Sequence, residues 1–292
     1  MEKQSLKPRS PYAGRCIVLT TKHAKSIAIA SPFFEKLNAG VLEYVVDTDQ
    51  LGTFSGEVER SGNALECARR KCELAFDLLG DTVEFALASE GSFGPHPFIP
   101  FSPCDHEILY FIDRKHDFYL HMSHVSEKTN YRKESINSLE ELLKFADAVQ
   151  FPSHALILRP SDRETKTPIF KGINCQLELK KVFTECMKQS ANGNVWVETD
   201  MRAQFNPSRM AVIKELAEKL ADRLSANCPA CDTPSWGKVR VEPGLPCQCC
   251  KSETKMTKHD IFGCTRCSYE EKYEPFHGLK HSDPGNCEFC NP

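Results

Sequence analysis

Two periods alternate along the first three quarters of the chain. Short apolar blocks are separated by longer stretches in which apolar residues recur every three or four positions, the pattern of strands interleaved with helices. Residues 16–20 read CIVLT, a β-branched run after a Pro/Gly lead, and predict a first strand. Residues 24–37 carry helical spacing and stop at Asn38 to Gly40. Residues 41–46 predict a second strand, 47–63 a polar loop containing glycine, and 64–79 a strong helix ended by Gly80. A third strand, 84–89, ends at Glu90. Two short runs, 107–113 and 117–121, flank Arg114-Lys-His116 and suggest a hairpin. Beyond it the pattern predicts helices at 139–151, 178–189 and 208–226, and strands at 155–158 and 194–197.

Strands alternating with helices imply an α/β domain, a mixed sheet with flanking helices, over residues 14–226. At Asn227 the helical period stops and paired cysteines, Gly and Pro take over. This marks a second unit, 227–292, a small zinc-ribbon-like module.

Composition narrows the class without changing the fold. The 292 residues are 40% hydrophobic and 26% charged, with a formal net charge of −3, ordinary values for a globular chain. The first fifteen residues lack the apolar run of a secretory signal, and nowhere do about 18 apolar residues run together. The expectation is a cytoplasmic protein with no membrane span. The net charge gives no general attraction to nucleic acid or anionic membranes.

Of fifteen cysteines, nine lie between Cys228 and Cys290. Eight of them form four Cys-x-x-Cys pairs: Cys228/Cys231, Cys247/Cys250, Cys264/Cys267 and Cys287/Cys290. Zinc takes four soft ligands in a tetrahedron and each pair supplies two thiolates from one tight turn, so four pairs predict two structural zinc sites. Disulfides and an iron–sulfur cluster are the competing readings. The thirteen residues between Cys250 and Cys264 suit one zinc-ribbon hairpin. The central pairs are therefore expected to share one ion and the outer pairs the other. The alternative is a cross-brace of first with third and second with fourth. Cys249 sits inside a knuckle as a bystander, and His259, His277 and His281 are spare donors. Outside the tail, Cys16, Cys67, Cys72, Cys175 and Cys186 read as inert thiols. From Cys228 to Pro292 eight Lys/Arg meet nine Asp/Glu, a charge of −1. Two ions on eight thiolates take the loaded module to about −5, the wrong sign for phosphate backbones and suited to a stability element or protein contact.

Three polar clusters follow predicted strands. Thr20-Thr-Lys-His-Ala-Lys25 opens the first helix, where free amides and nearby Lys suit phosphate; it also reads as a plain connection. Thr53-Phe-Ser-Gly-Glu-Val-Glu-Arg60 precedes a helix bearing Glu66, Arg70 and Lys71, of which Glu66 and Arg70 are spaced for ordinary helix-face pairing. Glu90 is followed by Gly91, Ser92, Gly94 and His96, then by Asp105, His106 and Glu107; the histidines read equally as loop surface. Carboxylates at strand ends around one crevice are how α/β folds hold Mg²⁺ and a phosphorylated ligand, and Gly91 and Gly94 would let such a ligand approach the backbone. A fourth segment, Glu198-Thr-Asp-Met-Arg-Ala-Gln-Phe-Asn-Pro-Ser-Arg-Met210, brackets a helix start with acids and arginines. It reads either as part of a phosphate and metal site or as an ionic clamp on the zinc module.

Thr20-Thr-Lys-His-Ala-Lys25, Thr53-Phe-Ser-Gly-Glu57, Ala68-Arg-Arg-Lys-Cys-Glu-Leu-Ala75 and Ala88-Ser-Glu-Gly-Ser-Phe93, in that order, resemble the inosine triphosphatase-like pyrophosphatases of non-canonical purine nucleotides. The resemblance covers roughly residues 15–95. With its Glu198–Met210 segment and Cys-rich tail, the whole chain also resembles an uncharacterised bacterial family with no assigned activity. The first resemblance implies Mg²⁺-dependent hydrolysis of a nucleotide or another phosphorylated small molecule. Lys25 and Lys71 would touch phosphates, Glu90 would hold the metal, and Glu57 would be a second ligand or the base that positions water. Thr21, Ser92 and Arg202 complete the candidate ligand contacts. The rival expectation is a non-catalytic zinc-containing scaffold whose Glu90 segment is structural.

Overall fold

The computed structural model of the protein describes residues 10–46, 62–160 and 168–292. Its first sheet is built by β1 (Cys16–Thr20), β2 (Gly40–Tyr44), β3 (Phe85–Pro95), β4 (Pro103–Asp113) and β5 (Phe118–Ser126) in the order β2-β1-β3-β4-β5. β1 runs parallel to β2 and β3, whereas β3, β4 and β5 form antiparallel pairs, so the sheet is mixed.

Alternation along β3 divides its side chains between two cores. Leu87 joins Leu19, Leu109 and Phe111 under α1 (Ser26–Leu37) and α5 (Pro207–Leu224). Ala86 and Ala88 join Val18 and Tyr110 under α2 (Ala64–Leu79). α1 leads from β1 outward to β2 on one face, and α2 returns from β2 past β1 to β3 on the other. The two crossovers therefore leave the gap between β1 and β3 on opposite faces, which makes it the topological switch point of the parallel part of the sheet.

A second, antiparallel sheet in the order β6-β9-β7-β8 comprises β6 (Lys133–Ile136), β7 (Leu156–Arg159), β8 (Phe170–Ile173) and β9 (Val195–Thr199). α3 (Leu139–Ala148) and α4 (Gln176–Gln189) close its core through Leu142, Phe145, Leu179 and Phe183. The chain then re-enters the first body as α5, started by Asn206, whose side chain accepts from the Arg209 amide, and by Pro207 in the first turn.

Most expected elements are present, with α2 bounded as expected: Asn63 and Glu66 form a capping box at its start. Three expectations need correction. The third strand does not end at Glu90: β3 continues through Gly91 and Gly94 to Pro95, pairing residue by residue with β4 up to Pro103. Asp105 and His106 are accordingly strand residues too: β4 starts at Pro103, ahead of the expected Glu107. β6 and β8 fall where no strand was expected, because four residues half open to solvent give too little apolar pattern to read.

After α5 the chain forms a three-stranded antiparallel sheet, β10 (Gly237–Pro243), β11 (Thr257–Gly263) and β12 (Glu270–Tyr273), with Trp236, Phe262, Tyr269 and Tyr273 in ring contact across it. Arg223 of α5 ties this module to the body by donating to the carbonyls of Ser235 and Lys238. No helix of the described residues is long and apolar enough to cross a membrane.

Candidate functional site

The tail gathers its eight paired cysteines into two tetrads, Cys228/Cys231/Cys264/Cys267 and Cys247/Cys250/Cys287/Cys290, the sulfurs of each lying within 4.8 Å of one another. Cys228–Cys267 and Cys231–Cys264 are 3.7 and 3.6 Å apart, and Cys247–Cys290 and Cys250–Cys287 are 3.8 and 3.5 Å apart. A tetrahedron with zinc–sulfur bonds of about 2.3 Å puts its sulfurs about 3.8 Å apart, while a disulfide needs about 2.05 Å, so the geometry suits zinc and not bridges. Knuckle amides point at the sulfurs: those of Ala230, Cys249 and Arg266 donate to Cys228, Cys247 and Cys264. Cys249 itself is exposed and belongs to neither tetrad.

The tetrads correct the expected pairing. First joins third and second joins fourth, the cross-brace, and the central pairs do not share an ion. The reason lies in the hairpin: Gly237 pairs with Gly263 at one end and Pro243 with Thr257 at the other. The Cys264 knuckle leaves β11 beside the chain entering β10, where Cys228 lies. The Cys247 knuckle sits at the opposite end, about 23 Å away for a seven-residue strand.

In the body, charged side chains collect at the switch point. β1 stops at Thr20, opposite Ala88, while β3 continues past it, still paired with β4 on its other side. Just past that point Glu90, on the α2 face, receives Lys71 of α2 at 2.5 Å; their side chains are only 8% and 12% exposed. Lys25, immediately before α1, is fully enclosed and donates to the Ser89 carbonyl and hydroxyl at 2.9 and 3.1 Å. Burial, with Arg209 next in weight, lowers its pKa to about 7. On the opposite face Arg209 of α5 reaches Glu107 at 2.6 Å and also donates to the Met201 carbonyl. Asp105 lies beside them, completely buried, its pKa raised to about 8 by burial and then by Glu107.

The expected site residues thus meet only in part. Lys25, Lys71 and Glu90 converge. Thr21 is buried next to them, its hydroxyl accepting from the His23 amide, a turn-forming contact. Ser92 is half-buried two residues along β3 from Glu90. Arg202 lies with the second sheet, forked onto Asp200 and stacked over Phe205. The contact between α5 and the module comes from Arg223, whereas Arg202 and Arg209 bind carboxylates of the body itself. Glu57 and its loop lie outside the described residues.

Two findings change the chemistry expected here. The amides at the start of α1 are already filled: Glu43 of β2 accepts from Ala24, from Ser26 and from the Ser26 hydroxyl at 3.1, 3.1 and 2.5 Å. Gly91 serves an internal contact and not a ligand. A Cβ there would collide with Arg209 Nη2 and would come within 2.5 Å of Glu107 Oε1, so the glycine makes room for that ion pair. Gly94, by contrast, faces open space. His96 Nδ1 accepts from the Phe98 and Ile99 amides and shapes the turn into β4. Sequence reasoning missed the Asp105–Glu107–Arg209 group as a unit, since its halves are 102 residues apart.

Fold and site together define a class: an α/β body with buried charges at its sheet switch point, carrying a cross-braced module of two four-cysteine clusters. The chain belongs to the family described as Domain of unknown function (DUF6671), whose model matches residues 71–292. That stretch holds Lys71, Glu90, Arg209 and all eight paired cysteines, while Lys25 precedes it. No curated protein and no solved structure matches the chain, and the likeness to inosine triphosphatase-like proteins has no counterpart in these comparisons.

Proposed function

We propose that the switch point between β1 and β3 binds a phosphorylated small molecule, a nucleotide in the first instance, and supports its Mg²⁺-dependent hydrolysis, with the tail as a two-zinc structural element. The observation that carries this reading is the convergence of Lys25, Lys71 and Glu90 where β1 stops, the position at which open α/β sheets take their ligands. A lysine lowered to about 7 and a carboxyl raised to about 8 within the same buried group add weight, because strongly shifted groups concentrate at functional sites. For Mg²⁺ the fit is through Glu90. This cation is commonly held by one or two carboxylates, with phosphate and water completing its shell, and it would neutralise phosphate charge. Lys71 now holds Glu90 Oε2, so cation and lysine would compete for it and Lys71 would be released toward the phosphate. Lys25 would stabilise charge developing on phosphate oxygens.

A non-catalytic scaffold is the second reading, and two contacts favour it. Glu43 already satisfies the α1 amides, and Lys71 already satisfies Glu90. Glu90→Gln separates the two. Under the hydrolase reading it lowers Mg²⁺-dependent turnover by two orders of magnitude or more with a melting temperature shifted by a few degrees. Under the scaffold reading wild type and variant are equally inactive toward every phosphorylated compound offered.

A further inference from the structure

Asp105 and Glu107 stand two residues apart on β4, on the face covered by α5, and both are fully buried. Glu107 Oε1 is held by Arg209. Both oxygens of Asp105 and Oε2 of Glu107 are sealed from solvent with no donor N–H or O–H among the described residues. What Asp105 has within hydrogen-bond reach is the Glu107 carboxyl itself. Two ionised carboxylates are acceptors only, and in a site closed to water their contact is repulsive and unsatisfied. One added proton turns the same contact into a strong O–H···O⁻ bond.

The surroundings allow one such proton and not two. From α5, Arg209 pairs with the charge left on Glu107, and a carboxylate must remain there for it. From the start of α1, Lys25 acts on both Glu107 and Asp105, and from α2 and β3 Lys71 and Glu90 act on Lys25. His124 of β5, opposite Glu107 in register, is engaged instead with Glu215 and Lys219 of α5. Lys25 donates to Ser89, and Gly91, the next residue of β3 on the same face, pairs with Glu107, so Lys25 is the amine neighbouring the dyad and also belongs to the switch-point cluster.

We propose that Asp105 and Glu107 share a single proton in the native protein, and that this buried pair is the store from which Lys25 is charged when an anion binds at the switch point. The step needs no outside reactant: the carboxyl O–H of the pair breaks, the amine of Lys25 gains the proton, and the pair becomes two carboxylates beside Arg209 and the new ammonium. The shared proton stands on the ligand-free structure alone, and its role toward Lys25 rests on the phosphate reading above.

Two measurements decide it. Infrared spectra of the ligand-free wild-type protein should show a protonated-carboxyl carbonyl band that fades as pH is raised through about 8, and Asp105→Asn should lack it. Absence of the band at pH 6 in the folded wild type overturns the shared proton whatever the protein binds. Tripolyphosphate is then added to unbuffered protein at pH 7.5. Wild type should take up almost no proton from solution, because the pair supplies it, while Asp105→Asn should take up close to one per bound anion. Equal uptake by both overturns the transfer to Lys25. Failure of tripolyphosphate to bind either protein removes the phosphate reading and the transfer with it, while the band still stands or falls by itself.

Discussion

At Gly91 the nearest neighbours, Arg209 and Glu107, fill the volume a side chain would need. Gly91→Ala should therefore destabilise the protein by about 2–4 kcal/mol, the cost of overpacking plus disturbance of a buried ion pair, read from the urea midpoint. Asp105 sets a pH dependence at the same scale. Its folded pKa, about 8, lies above the ordinary 3.8, so the native protein keeps a proton that the unfolded chain loses. The stabilisation is complete below the ordinary value, shrinks as pH rises and is gone above about 8. Lys25, lowered from 10.5 to about 7, acts oppositely and in a higher window: its contribution grows as pH rises from 7 toward 10.5. Between pH 5 and 7 the Asp105 slope should dominate. Asp105→Asn should flatten it in urea unfolding at those two pH values; an unchanged slope would assign the dependence to other groups. Glu90 was legible in the sequence as an acid against an apolar run, and Lys25 and Lys71 were set beside it by the resemblance to inosine triphosphatase-like proteins. Asp105 and Glu107 were legible as acids that follow Glu90, but their union with Arg209 was not, because that arginine lies 102 residues from Glu107 along the chain.

At the level of elements, helices could be read closely because each carries its own signals: the capping box of α2, Asn206 and Pro207 at α5, and Ser138 accepting from Glu141 at α3. Strands depend on partners the sequence does not name. Glycines at 91 and 94 suggested an end to β3, yet β4 pairs with it past both. The same limit applied to the cysteines. Ligand type and knuckle geometry were legible from four Cys-x-x-Cys pairs, but pairing depended on which hairpin end each knuckle occupied, and spacing alone favoured the wrong neighbours. The cross-brace makes a sharp prediction. Cys231→Ser combined with Cys264→Ser strikes one tetrad only, so zinc content by native mass spectrometry should fall from two ions to one. Loss of both ions would show that those knuckles serve different sites. The surviving ion should then be lost when Cys247→Ser is added.

For the whole molecule, the cysteine tetrads and the buried charges occupy different parts of the chain, the module and the body. Arg223 joins them through two backbone carbonyls, and the tetrads lie in the tail while the buried charges lie across β3 and β4, held from both faces by α2 and α5. A buried ion pair is not by itself evidence of stability, since well-packed apolar residues can replace one without loss. Two such pairs, with a dehydrated lysine at the same sheet switch point, are the feature on which the proposed ligand site rests. That claim is tested most directly by offering the intact, zinc-loaded protein a panel of nucleoside triphosphates with Mg²⁺ and following both melting temperature and release of phosphate or pyrophosphate. At least one nucleotide should raise the melting temperature and be hydrolysed, and Glu90→Gln should lose the hydrolysis while keeping both zinc ions. No thermal shift and no release across the whole panel would contradict it.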